Sequence, residues 1–250
     1  MKRVVIISAA VLVFFANPAF SENFTMERAK EYKANIPVSI TKKIQLPRSY
    51  HEGLFFDGEN IWVSNGEGGD TWIIDPGTGS MISQIEPAGK FTEAIVGTGD
   101  GSYWMTDWNA QKLYRVEIEN NKMIIKSGIS LEPAHPAGVV RAGERLFVIT
   151  WTRGLGTKYH LLEFDAEGVL VKKVRIKRIH EPSQLAWDGS HLWISSWYSQ
   201  MVYKIDINSF SILSSFKSPA PKTTGIVWDG KHLWVTGTYA DLYKLEVDLG

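Results

Sequence analysis

One phrase returns along this chain. "YHEGLFFDGENIWVSNG" at residues 50–66 comes back as "QLAWDGSHLWISSW" at 184–197 and as "GIVWDGKHLWVTGT" at 225–238. Each copy alternates apolar and polar positions around an Asp-Gly turn, the pattern of a β-hairpin with one buried face. Aligned on the turn glycine, the phrase falls at Gly58, Gly101, Gly143, Gly189 and Gly230, at spacings of 43, 42, 46 and 41 residues. An aromatic follows four residues beyond most of these glycines, at Trp62, Phe147, Trp193 and Trp234, and three beyond Gly101 at Trp104. A second echo, "TWIID", "LYRVE", "LLEFD", "VYKID" and "LYKLE", closes each unit on an acid: Asp75, Glu117, Asp165, Asp206 and Glu246.

Units in the low forties with at least three short strands each are β-propeller blades, whose sheets bury their faces on their neighbours. The spacing predicts an all-β, five-bladed β-propeller over residues 22–250, with blades near 50–90, 91–133, 134–180, 181–220 and 221–250. The last unit runs out after its third strand, while "VSITKKIQLP" ahead of the first unit has strand alternation of its own. Residues 38–46 are therefore expected to pair as the outer strand of the last blade and close the ring, which removes free sheet edges.

Met1-Lys2-Arg3, the twelve-residue apolar run Val4 to Phe15 and "ANPAFS" read as the charged, apolar and small-residue parts of a secretory signal over residues 1–21. The run is short for a membrane span. The expected product is a periplasmic or secreted domain with no stable membrane span after cleavage; an uncleaved anchor is the alternative. The polar lead-in "ENFTMERAKEYKAN" is given no function. The chain has no cysteine, which excludes disulfides and thiolate chemistry. Its 27 basic and 27 acidic residues argue against a nucleic-acid partner. The run "KKVRIKR" at 172–178 reads as a solvated outer strand.

In a propeller, inner strands start at the face to which the loops after the second strands return. Six residues before the turn glycine stand Glu52, Ala137, Ser183 and Thr224, with Glu93 in the second blade once a two-residue insertion is allowed. Four residues after each aligned aromatic, the other loop begins with Gly66, Trp108, Trp151, Trp197 and Thr238. One mouth thus collects two carboxyls and three indoles, suited to an amine or another cation and able to raise a glutamate pKa. Packing of the indoles between blades is the bland counterpart. The six histidines lack ligand spacing, so no metal is expected, nor any other cofactor. There is no G-x-S-x-G elbow and no phosphate-binding glycine loop, and "GEGGD" at 66–70 reads as a hairpin connection.

On these phrases the chain resembles the plant and bacterial glutaminyl-peptide cyclotransferases, five-bladed propellers that convert amino-terminal glutamine to pyroglutamate. "YHEGLFFDGENIWVSNG" is similar to the family's F-T-Q-G-L opening, with Glu52 in place of the glutamine. "FTEAI" is similar to its F-G-E-G-L phrase, and the resemblance implies a catalytic role for Glu93, with Trp108 fifteen residues on. "SQLAW" with Trp197 matches N-E-L-E-Y with its tryptophan, so Ser183 replaces an asparagine; "WVTGT" matches F-V-T-G-K, so Thr238 replaces a lysine. "PAGV" puts Ala137 where the family has a tryptophan, and Trp151 is placed to refill that space. The implied ligand set is Glu52, Trp108, Trp151, Ser183, Trp197 and Thr238 around a small molecule or peptide amino terminus; a protein partner is left open, its identity unknown. Two polar positions of the family site are substituted, so binding without turnover is expected first, and cyclase activity with release of ammonia second.

Overall fold

The computed structural model describes residues 36–248; the expected signal and the lead-in lie outside them. Strand β1 (Val38–Gln45) comes first in the chain but belongs to the last blade. The first blade contains β2 (Leu54–Phe56), β3 (Ile61–Val63), β5 (Thr71–Ile74) and β6 (Met81–Ile85), separated in sequence by the two-residue β4 (Gly66–Glu67). The second is β7 (Phe91–Gly97), β8 (Tyr103–Asp107), β9 (Lys112–Glu119) and β10 (Lys122–Ser130). The third is β11 (Ala134–Ala142), β12 (Arg145–Thr152), β13 (Lys158–Phe164) and β14 (Leu170–Ile176). The fourth is β15 (Pro182–Trp187), β16 (His191–Ser196), β17 (Met201–Asp206) and β18 (Ile212–Lys217). The fifth takes β19 (Thr223–Trp228), β20 (Leu233–Gly237) and β21 (Asp241–Val247), completed by β1. The architecture is an all-β five-bladed propeller, and β1 pairs antiparallel along β21 from Val38↔Val247 to Gln45↔Asp241, with Lys43 opposite Tyr243.

The recurring phrase has a local cause. Asp57, Asp188 and Asp229 each use Oδ1 to accept the backbone N–H groups two and three residues on, which shapes the turn. Their Oδ2 atoms accept the indole N–H five residues on: Trp62 at 2.7 Å, Trp193 at 2.8 Å and Trp234 at 2.7 Å. One carboxylate thereby fastens the hairpin turn to the aromatic that plugs the blade. The second blade departs from this. Its turn between Gly97 and Tyr103 is one residue longer, and Asp100 bonds Thr98, Ser102 and Arg115 instead, while the Arg115 guanidinium lies over Trp104.

The core is five cores, one at each blade junction. Trp62, Ile85, Met105 and Val116 fill the first junction; Trp104, Val148 and Phe164 the second; Phe147, Ile149, Leu192 and Phe210 the third. Trp193, Phe216 and Val235 fill the fourth, and Trp72, Val63, Trp234 and Leu242 the fifth, where Ile44 and Leu46 of the closing segment join them. Burial of this kind contributes roughly 1.5–3 kcal/mol per large apolar side chain, so every blade depends on both neighbours.

The "GEGGD" segment does more than connect a hairpin. Its β4 pairs across the junction with β7, Gly66 opposite Thr92 and residue 67 opposite Phe91. The inner edge of β7 offers free backbone groups that a crossing segment can satisfy. Gly66 has φ of +70°, and a Cβ there would stand 3.0 Å from the Phe91 ring.

Candidate functional site

Each inner strand carries an irregularity at its mouth end. The ladder of β7 with β8 shifts between Thr92 and Ala94, that of β11 with β12 between Pro136 and Val139, that of β15 with β16 between Pro182 and Leu185, and that of β19 with β20 between Thr223 and Gly225. In the first blade Glu52 N–H donates to Ser64 O while Gly53 O accepts from Ser64 N–H, two residues set against one. Bulges turn a side chain out of the alternating pattern. The residues so displaced are Glu52, Glu93, Ala137, Ser183 and Thr224, and all five line one cavity of about 430 Å³ at the centre of the mouth. Trp108, Trp151, Trp197 and Phe91 form its walls, with Asn109, Arg153 and Glu181.

Just beneath, a hydrogen bond crosses each junction. Gly53 N–H donates to Glu93 O at 2.7 Å, Thr106 Oγ1 to Ala137 O at 2.7 Å, Trp151 Nε1 to Pro182 O at 2.7 Å, Ser183 Oγ to Thr223 O at 2.7 Å, and Thr224 Oγ1 to His51 O at 2.5 Å. Small residues follow the mouth positions, because the inner strands crowd: a Cβ on Gly53 would meet Ala94 at 2.6 Å, and one on Gly225 would meet Glu52 O at 2.5 Å. The fourth blade has Gln184 there. Its Oε1 accepts from Val139 N–H at 3.0 Å and its Nε2 donates to Leu54 O at 3.4 Å, so the amide spans the channel from the third blade to the first. Below it lies a separate cavity of about 160 Å³ walled by Phe56, Trp187 and Trp228.

Glu52 and Glu93 have no hydrogen-bond or cationic partner among the described residues. Burial raises Glu52 to about 7. Burial raises Glu93 well above the carboxylate range, and the neighbouring Glu52 and Asp107 add to this. Asp107 is itself buried and fixed by the N–H groups of Lys90 and Ala110. The pair therefore holds protons more firmly than free carboxyls do. Glu52, expected at the rim, is part of the inner wall beside Glu93.

The three indoles differ in their freedom. Trp151 spends its N–H on Pro182 O, packs edge-on to Trp108 at 5.3 Å, and stands beside Ala137, the position it was expected to refill. Trp108 stacks on His135 at 4.9 Å, and its ring carries the Arg153 guanidinium at 5.4 Å. The Trp197 ring carries the Lys222 ammonium at 4.3 Å. The indole N–H groups of Trp108 and Trp197 have no partner among the described residues. Ser183 is 7% exposed, and its single proton goes to Thr223 O while Ser195 Oγ lies at 2.9 Å. Thr238 is not part of the cavity wall; its backbone joins Tyr50 and Pro221.

Compared with known proteins, the chain matches no protein-family model, and no curated protein matches it in sequence. Its fold is that of solved structures. A glutaminyl cyclase from Myxococcus xanthus superposes with a TM-score of 0.69 at 15% identity, covering 86% of this chain and 98% of that one. A PQQ-bound aldose sugar dehydrogenase from Streptomyces coelicolor gives 0.59 at 12% identity over 87% and 100%. At such identities the likeness is one of fold, and function rests on the site itself.

Sequence reasoning missed Arg153, Asn109 and Phe91, while Glu181, expected to approach the mouth beside His180, does line the cavity. Glu181 holds a left-handed backbone with φ of +47°, its carbonyl accepts from Trp197 N–H at 2.9 Å, and its Oε2 is buried without a partner. The mouth position in each repeat was visible; Phe91 and Glu181 stand two residues before it in their repeats, but the residue type there does not recur.

Proposed function

We propose that this is an exported propeller whose mouth binds a small amine-bearing or peptidic ligand, with the amine directed at Glu93 and Glu52 between the indoles of Trp108 and Trp197. The observation that carries it is the pair of unpartnered carboxyls at the base of an aromatic-walled cavity of about 430 Å³. A buried acid pair without a counter-charge is costly unless something cationic or proton-bearing joins it. An ammonium supplies that charge, and indole faces favour cations. The amino-terminal segment, charged, apolar and then small, supports export.

A second reading has support of its own. Glu93, raised by burial and by two neighbouring carboxyls, is an acid able to move protons near neutral pH. The family resemblance and the structural likeness to a glutaminyl cyclase point to amino-terminal glutamine as substrate: the neutral amine attacks its own side-chain amide, Glu93 gives a proton to the departing ammonia and takes back the one the amine loses. Such attack needs donors for the developing oxyanion, and losing one commonly costs a hundredfold or more in rate. Ser183 spends its proton on Thr223 O and Thr238 lies outside the wall, whereas Trp108, whose Nε1–H has no partner among the described residues, Asn109 and Arg153 line the cavity. Binding is therefore the first reading and turnover the second. Calorimetric titration of the purified domain with a glutaminyl dipeptide, with ammonia followed in parallel, separates them. Heat of binding without ammonia supports the first, ammonia the second, and neither signal overturns both.

A further inference from the structure

The mouth holds two cations that an amine site does not require. Arg153 lines the cavity and lies over Trp108, and Lys222 lies over Trp197; both side chains are exposed, and neither forms an ion pair among the described residues. A contact with an exposed indole face orients a cation and leaves its charge uncompensated. The acids of the same lining are less exposed: Glu52 and Glu93 are half-buried, and Glu181, whose carbonyl accepts from the Trp197 backbone N–H, has its Oε2 buried without a partner. The site is thus bipolar, acidic inside and basic outside, and a ligand with a single positive charge would match one pole and oppose the other.

We infer that the ligand is a short zwitterion, a free amino acid or dipeptide, whose ammonium reaches the acids of the base and whose carboxylate is held at the rim by Arg153 and Lys222. The inference rests on the amine reading above and narrows it. A guanidinium offers a planar fork matched to a carboxylate, and the ammonium beside it adds a point charge. A continuing peptide chain would present a neutral amide to the same two cations and gain little. Both side chains are laid on rigid indoles, so less freedom is lost when the carboxylate arrives.

The test is calorimetric titration with glutaminylglycine and with its carboxyl-terminal amide, on the wild-type chain and on R153Q/K222Q. The free acid is expected to bind at least tenfold more tightly than the amide, and the ratio to fall to about one in the double variant. Both residues are exposed and outside the blade cores, and a circular dichroism spectrum and melting curve matching wild type verify folding. Equal affinity for acid and amide in the wild type overturns the zwitterion and leaves the amine reading intact. A preference that survives in the folded double variant overturns the role of these two residues. Binding of neither compound overturns the amine reading, and this one with it.

Discussion

Asp229 joins a turn and a core with one carboxylate. Burial favours its protonated form, yet the indole N–H of Trp234 and the backbone N–H groups of His232 and Lys231 outweigh this and hold it below the usual range. Replacing Trp234 by Phe keeps the ring and deletes the donor. The loss should be about 1–2 kcal/mol in urea unfolding, more than Trp228→Phe gives at a half-buried indole of the lower mouth. A depressed carboxyl supplies stability above its unfolded value, 3.8 for an aspartate, and this is lost as pH falls through the folded value. Asp206, lowered by its bonds from the Ser209 backbone and hydroxyl, adds to the same acid limb. Glu52 has the opposite sign. At about 7 when folded against 4.5 as a free side chain, it leaves the native state binding more protons between those values, so stability declines as pH rises through that window and levels off above it. Glu52→Gln should flatten that decline, by on the order of 3 kcal/mol between pH 5 and 8, read as the change in melting temperature. The same proton should leave when an amine binds. Titrations in two buffers of different ionisation enthalpy should report its release, and Glu93→Gln should weaken amine binding by about 1–2 kcal/mol and abolish any ammonia release.

The strand rather than the residue explains why the mouth was partly legible. A period of about forty residues with one Asp-Gly turn per unit fixes where each inner strand ends, and counting back from the glycine reached Glu52, Ala137, Ser183 and Thr224. What alternation alone cannot express is the bulge. Strict period-two reading allots Ser183 and Gln184 to opposite faces, whereas the shift between Pro182 and Leu185 sends Ser183 to the cavity wall and Gln184 across the channel. Ser183, expected as a ligand donor, spends its proton on the next blade for the same reason. Glu93 needed a two-residue allowance; the structure lengthens the turn after Gly97 by one residue, and Gly101 stands one place nearer its aromatic than the other turn glycines do. Gln184 gave no signal, since a single glutamine in "SQLAW" looks like an ordinary polar position. Its replacement by Leu should strand Val139 N–H and Leu54 O inside the channel. The expected cost is about 1–3 kcal/mol in urea unfolding, and a variant as stable as wild type would mean that water takes over both bonds.

A ring needs a fastening, and here the chain supplies it by sharing the last blade between its ends. β1 is bonded to β21 from Val38↔Val247 to Gln45↔Asp241, and it runs on through Leu46 into the first blade. The first and fifth blades are thereby held by covalent chain as well as by the contacts of Trp72, Val63 and Trp234. This much the sequence displayed, because a final repeat short of one strand and a spare strand before the first repeat have one mutual solution. The two contributions, strand and tether, can be separated. Val38 and Val247 are cross-strand neighbours, so a tight turn after Asp248 can lead directly into Val38 and move β1 to the carboxyl end. The fifth blade then keeps all four strands but loses its chain link to the first. Such a rearranged chain should fold and retain the affinity of the mouth, since the bulged residues and their junction bonds are untouched. It should melt at a lower temperature than the parent, because only side-chain packing and hydrogen bonds such as Thr224 to His51, Tyr50 to Thr238 and Lys42 to Pro76 now hold the fifth junction. Deleting residues 36–45 outright should do more, leaving the β21 edge open to pair with other chains, and size-exclusion chromatography should find oligomers. If the rearranged chain melts with the parent, the tether contributes nothing and the strand alone closes the ring; if it oligomerises like the deletion, continuity with the first blade is what keeps β1 in place.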